Sequence, residues 1–120
     1  PICSDISQYT LRLAEKEHVP MPENFMDMLK VMRQMVYDSI SAISENDVNL
    51  AQKVMATDDE VDAYFRQMRQ DLTALMQQYP QLVPQYVDYL MIAKYVERIA
   101  DHATNIAQWV LFVVNNELKS

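Results

Sequence analysis

The stretch YLMIAKYVERIADHATNIAQWVLFV, residues 89–113, decides the fold class. It contains neither glycine nor proline, and its apolar residues recur in alternating steps of three and four, the spacing of one buried face on a long α-helix. This seam consists of Tyr89, Ile92, Val96, Ile99, Ala103, Ile106, Val110 and Val113. An upstream seam with the same alternation consists of Val54, Asp58, Val61, Phe65, Met68, Leu72 and Leu75. Two such seams predict long antiparallel helices that pack like a coiled coil.

The composition agrees with an all-α fold. None of the 120 residues is glycine, whereas an average chain of this length carries about eight. The five prolines, at positions 1, 20, 22, 80 and 84, lie between long uninterrupted stretches. We predict helical segments over about 3–17, 24–45, 47–78 and 81–115, with Asn24 as an N-cap of the second and Asn46 or Asp47 as an N-cap of the third. The apolar face of the second segment consists of Met28, Leu29, Met32, Met35, Val36, Ser39 and Ile43.

The domain organisation follows from these segments and from an internal echo. Residues 4–11 align with residues 104–111, with identical Ile, Gln and Leu at three of the eight positions. Self-similarity of this kind indicates a duplicated unit, although a chance match of two amphipathic helices is the alternative. We therefore predict that residues 1–19 are the end of the last helix of a preceding repeat, and that residues 20–120 form one three-helix bundle of long antiparallel helices.

Charge and cysteine content exclude several classes of function. With 17 acidic and 10 basic residues the formal net charge is −7, which disfavours nucleic acid as a partner because its binding needs a basic surface. The single cysteine, Cys3, allows no internal disulfide and suits a reducing compartment. The longest apolar run, Trp109–Val114, is too short to insert into a membrane as a spanning helix, and no signal peptide is visible. We expect a cytoplasmic protein.

Five oxygen-bearing side chains form the candidate metal site. Glu97, Asp101 and Asn105 recur four residues apart and lie away from the apolar seam of their helix. Asp58 and Asp62 are also four apart, with Asp58 on the seam of the preceding helix and Asp62 at its edge. On adjacent antiparallel helices these groups could converge on a cation, and carboxylate and amide oxygens suit magnesium, calcium, manganese or iron.

The alternative is a solvated acidic face without a ligand, on which Lys94 and Arg98 compensate the carboxylates. Enzymatic interpretations have less support. A di-iron bundle requires Glu-x-x-His, but Ala100 stands three residues after Glu97, and the neighbouring His102 points elsewhere on the helix. Without glycine the chain has no phosphate-cradling loop of the P-loop or dinucleotide-binding kind. We find no catalytic constellation and no organic cofactor site.

Two motifs together resemble the repeats of the PhoU family. AKYVERIADHATNIA, residues 93–107, is similar to the signature of those repeats, and DDEVD, residues 58–62, resembles the matching acidic segment on the preceding helix. The resemblance covers nearly the whole chain. It implies tandem three-helix bundles, often dimeric, that bind multinuclear clusters of iron, manganese, zinc or magnesium. By position the implied ligands are Asp58, Asp62, Glu97, Asp101 and Asn105, with Asp59 as a weaker candidate.

The resemblance also implies a role. Family members restrain the phosphate-starvation response and contact the ATPase of the phosphate ABC transporter and a sensor histidine kinase, without established catalysis. This sequence departs from the family pattern at Ala100, where Gly is frequent, and at Gln108, where Glu is frequent. Its length is about half that of a complete member. Alternatives to a non-enzymatic regulator are the cytosolic PhoU-like domain of a sodium–phosphate cotransporter and a metal-binding helical interaction module.

Overall fold

A computed structural model describes Asp5 and residues 21–119 of the chain. It consists of three long helices: α1, Phe25–Glu45; α2, Val48–Gln78; and α3, Val83–Lys119, with a 3₁₀ turn at Pro80–Leu82 between the last two. The described part of the chain contains no strand, so the predicted all-α class is confirmed. The predicted helix over 3–17, its assignment to a preceding repeat, the echo at 4–11 and the environment of Cys3 concern residues that lie, apart from Asp5, outside the described ones.

The turn between α1 and α2 depends on two adjacent residues. Asn46 adopts a left-handed conformation with φ 53° and ψ 41°, which asparagine tolerates better than most residues. The chain then reverses, and the Asp47 N–H donates to the carbonyl oxygen of Ala42 at 3.0 Å. The Asp47 side chain accepts a hydrogen bond from the Leu50 N–H at 3.0 Å, so Asp47 is the N-cap of α2. Consecutive helices joined in this way are antiparallel neighbours.

The other two helix boundaries use backbone groups. Asn24 occupies the predicted N-cap position of α1, but its side chain makes no capping hydrogen bond; its carbonyl oxygen accepts from the Met28 N–H at 3.0 Å. At the α2–α3 connection, the Tyr79 N–H closes α2 by donating to Leu75 at 2.8 Å. Pro80 then starts the 3₁₀ turn, where a missing N–H costs nothing.

The core lies along the predicted seams. On α2 and α3 the buried members are Val54, Val61, Phe65, Met68, Leu72, Tyr89, Ile92, Val96, Ala103 and Val110. On α1, Met28, Met35 and Ser39 are buried as predicted. Ile43 is a correction, because 47% of its surface is exposed and the neighbouring Ala42 is buried instead. Ile43 lies beside the buried stripe of α1, which passes through Met35, Ser39 and Ala42.

A stripe of alanines on α3 completes the core. Ala93, Ala100 and Ala107 follow one another at intervals of seven residues, and each has 0% of its surface exposed. Small side chains at such positions let neighbouring helices approach closely, because no larger group separates the backbones. Ala100, which replaces a frequent Gly of the family pattern, therefore keeps a small residue where the bundle requires one.

No helix within the described ranges is both long enough and apolar enough to cross a membrane. Even α3, the longest, carries charged residues along its length.

The alanine stripe predicts an asymmetric response to added volume. Replacing Ala100 by Leu should lower the free energy of unfolding by about 1–3 kcal/mol, since a close-packed core has no space for three further carbon atoms. The matched control is Ala74→Leu on the exposed face of α2, where Leu should change stability by less than about 0.5 kcal/mol. Urea unfolding followed by circular dichroism measures both. Equal unfolding midpoints for the two variants would show that Ala100 is not tightly enclosed.

Candidate functional site

The candidate site lies between α2 and α3, where antiparallel packing brings acidic residues of the two helices together. Burial raises the pKa of the Asp58 carboxyl above its ordinary value of 3.8, and the negative charges of Asp62 and Asp101 raise it further. Asp59 contributes a smaller effect in the same direction, while the nearby Thr104 hydroxyl opposes the rise in the pKa of Asp58. Asp58 therefore lies within electrostatic reach of Asp62 on its own helix and of Asp101 on α3.

One oxygen of this cluster has no partner. The Oδ1 atom of Asp58 is shielded from solvent and accepts no hydrogen bond. The nearby Thr104 hydroxyl lies 3.0 Å from the carbonyl oxygen of Ala100, one turn earlier on α3, and donates to it. An unpartnered buried carboxylate oxygen is unfavourable because it has lost its hydration without a replacement. A cation or a water molecule at this point would remove that cost, and carboxylate oxygens are ligands that hard metal ions accept.

Glu97 is engaged differently. The Lys94 ammonium donates to the Glu97 carboxylate at 3.2 Å, and the Lys94 side chain is 64% exposed while that of Glu97 is 20% exposed. The Lys94 Nζ also lies 5.2 Å from the centre of the Phe65 ring, which belongs to α2. Lys94 therefore links the two helices one to two turns from Asp58.

A shallow surface depression of about 360 Å³ lies beside Lys94 and Glu97. It is lined by Met91, Lys94, Tyr95, Glu97, Arg98 and Asp101. At its margin the Tyr95 hydroxyl donates to Asp5 Oδ2 at 3.2 Å. Asp101 and Asn105 are exposed, as their position away from the seam predicts. Asn105 lies one turn beyond Asp101, and no hydrogen bond joins it to the cluster.

The structure brings only some of the five candidate ligands together. Among the described residues, no three Asp, Glu, His or Cys side chains already stand in a metal-binding arrangement. Asp58, Asp62 and Asp101 share one electrostatic environment, whereas Glu97 is held by Lys94 and Asn105 projects from the exposed face. Assembly of all five into one site requires side-chain rotation, which long exposed side chains undergo readily.

The sequence interpretation missed two polar features. Thr104 belongs to the site because it lies three residues after Asp101 on the side of α3 that faces Asp58, a relation that helical spacing could have revealed. Asp38 is 5% exposed on α1. It pairs with Lys53 of α2 at 3.4 Å and accepts a hydrogen bond from Gln34 at 2.9 Å. Its position three residues after Met35 was the signal that it faces the neighbouring helix.

These features define an all-helical bundle whose second and third helices gather carboxylates at their shared surface. Residues 25–110 match the family model of the PhoU domain. That match covers most of the chain, which therefore belongs to the PhoU family, and the resemblance of the two motifs is confirmed.

The names of related proteins agree with this family assignment. The chain is 26% identical over 113 residues to the phosphate-specific transport system accessory protein PhoU homolog of Clostridium acetobutylicum, covering 94% of this chain and 52% of the relative. It is 29% identical over 114 residues to the homolog of Xylella fastidiosa, covering 95% and 48%. The homolog of Caulobacter vibrioides is 32% identical over 90 residues, covering 75% and 39%. The chain thus spans about half the length of the first two relatives.

The raised pKa of Asp58 predicts a pH-dependent stability. The pKa of Asp58 is higher in the folded than in the unfolded protein, so between these two pKa values the folded protein binds more protons. The stability that protonated Asp58 contributes is therefore lost as pH rises through its folded-state pKa. Asp58→Asn removes this pH-dependent loss of stability, because the amide side chain does not ionise. With EDTA present, we expect a higher Tm than wild type at pH 7 and a shrinking difference toward pH 3. Asp59→Asn, at an exposed neighbour, is the control. Parallel Tm–pH curves for Asp58→Asn and wild type would contradict the burial of this charge.

Proposed function

We propose that this chain is part of a non-enzymatic regulator of phosphate uptake and of phosphate-starvation signalling that acts in the cytoplasm. The observation that carries the proposal is the PhoU-domain match over residues 25–110. Relatives that cover nearly the whole chain are named phosphate-specific transport system accessory proteins, which supports a role beside the transporter. A bundle of three helices with long accessible faces suits such a role, because its surface can bind other proteins without a substrate pocket.

Partner binding is the expected mode of action. The partners proposed from the family resemblance are the ATPase of the phosphate ABC transporter and a sensor histidine kinase, with a second copy of the chain in a homodimer. Exposed aromatic groups support a contact role: Trp109 is 60% and Phe112 is 56% exposed, and their rings stack with centroids 5.7 Å apart. Rigid aromatic side chains are enriched where proteins bind one another.

The acidic cluster is proposed to bind a metal ion, with iron, manganese, zinc and magnesium as the candidates. Asp58, Asp62, Glu97, Asp101 and Asn105 are the residues that would hold it. The unpartnered oxygen of Asp58 and the repulsion among the carboxylates support this assignment. A bound cation would neutralise those charges and tie α2 to α3. These residues would thus bind the ion, and the bound ion would change how α2 and α3 are held together.

The regulatory proposal predicts a phenotype. Deletion of the full-length gene should switch on a phosphate-starvation reporter in abundant phosphate, because the restraint on signalling is lost. Reintroduced wild type should restore repression. A variant with Trp109→Ala and Phe112→Ala should fold but restore less repression, while Gln77→Ala on an exposed face of α2 serves as the control. A reporter that stays off after deletion would count against the proposed role.

The metal proposal predicts a loss of binding without a loss of fold. Asp62→Asn combined with Asp101→Asn should reduce bound metal to less than about half of the wild-type stoichiometry, because two charged ligands become neutral while the side-chain volumes are kept. Asp71→Asn is the control, since Asp71 accepts a hydrogen bond from Gln67 at 2.9 Å on the same helix, outside the cluster. Elemental analysis after dialysis measures the metal. Unchanged stoichiometry in the double variant would remove these residues from the site.

A further inference from the structure

Lys94 is the one described cation in direct contact with a candidate ligand. Its Nζ lies 3.2 Å from a carboxylate oxygen of Glu97 and 5.2 Å from the centre of the Phe65 ring. It also lines the same depression as Glu97 and Asp101. The ammonium group therefore occupies the surface to which a cation would come, and it already links α2 to α3.

We propose that Lys94 is a built-in counter-ion of the acidic site, which holds Glu97 while the site is empty of metal and withdraws when a divalent cation binds. The inference rests on the proposed metal function and adds a means of regulating it. The ammonium and the metal compete for the same carboxylate.

The competition follows from charge. A carboxylate that accepts a hydrogen bond from an ammonium group can coordinate a divalent ion only if the two cations come close together. Their repulsion is strong at such separations even with partial solvent screening. Full participation of Glu97 in the site therefore requires Lys94 to leave. The ion pair holds Glu97 apart from the carboxylates that act on Asp58, and among the described residues no three such groups stand in a metal-binding arrangement.

The restraints on Lys94 are weak enough to be reversible. Its side chain is 64% exposed, and an exposed ion pair three residues apart on a helix contributes little. The contact with Phe65 adds a cation–π attraction that is also small at an exposed site. The flexible four-carbon stem lets the ammonium swing into solvent without movement of the backbone. A metal ion can therefore displace it at a modest cost in affinity.

Arg98 provides a matched comparison within the same depression. It carries the same charge, lines the same surface and lies one residue from Glu97. Among the described residues it makes no ion pair with Glu97, which is held by Lys94. Removal of either cation reduces long-range repulsion of a metal, but only removal of Lys94 frees a ligand.

The first test is a titration of the chelator-treated chain with Mg²⁺ and with Mn²⁺ by calorimetry. Lys94→Met should bind about two- to five-fold more tightly than wild type, the amount by which loss of a weak exposed ion pair relieves competition. Arg98→Met should show a smaller gain, and Lys94→Arg, which keeps the charge, should stay near wild type. In a Glu97→Gln background, Lys94→Met should give little further gain. Circular dichroism and Tm verify that each variant is folded.

The second readout follows Lys94 itself. Its side-chain methylene protons carry a ring-current shift from Phe65, and saturation with diamagnetic Mg²⁺ should move these NMR signals toward their values in a Phe65→Leu reference. If wild type binds metal but the Lys94 signals do not move and Lys94→Met matches Arg98→Met, the counter-ion role is overturned while the metal site stands. If wild type binds neither ion, both proposals fall together.

Discussion

The register between α2 and α3 is the constraint on which the site depends. Asp58 and Phe65 are seven residues apart on α2, and Lys94 and Asp101 are seven apart on α3. Because the helices are antiparallel, Asp58 faces Asp101 while Phe65 faces Lys94. The buried alanines of α3 maintain this register, since a shift along the axis would bring larger side chains to positions that hold no extra volume. Packing in the core thus determines which charges meet at the surface.

Much of this arrangement could be predicted from the sequence. Large apolar residues at steps of three and four identify a buried face, and ten of the fifteen predicted seam positions on α2 and α3 are buried. The other five are only half-buried: Asp58, Leu75, Ile99, Ile106 and Val113. Alanine carries a weaker signal because it is common on every face of a helix, and the stripe at Ala93, Ala100 and Ala107 was missed. The wrong placement of Ile43 has a related cause. Ala42 carries the same weak signal, so the predicted face of α1 was continued through the larger Ile43 beside it.

The sequence predicted that carboxylates of α2 and α3 could converge, but it did not predict their individual contacts. Spacing placed Asp58 on the seam of α2 and Asp101 away from the seam of α3, and antiparallel packing allowed the two helices to bring them together. The choice of partner for Lys94 could not be read in the same way. The sequence left open whether Lys94 compensated the buried Asp58, whereas the structure pairs it with Glu97. That choice depends on side-chain rotamers and on the Phe65 ring, which belongs to another helix.

The same geometry would let the proposed site respond to a cation without unfolding of the bundle. Asp58 lies partly within the α2–α3 interface, so its charge opposes close packing, whereas the Lys94–Glu97 pair lies at the surface and contributes little. Exchange of the ammonium for a divalent ion would move positive charge toward the unpartnered oxygen of Asp58. There the attraction between the ion and the carboxylate would be stronger, because solvent screens it less. The hydrophobic seams would remain intact. If the proposed site binds a metal ion, its response would be a change in how tightly α2 and α3 are held together at one point, and a protein bound to their exposed faces could detect that change.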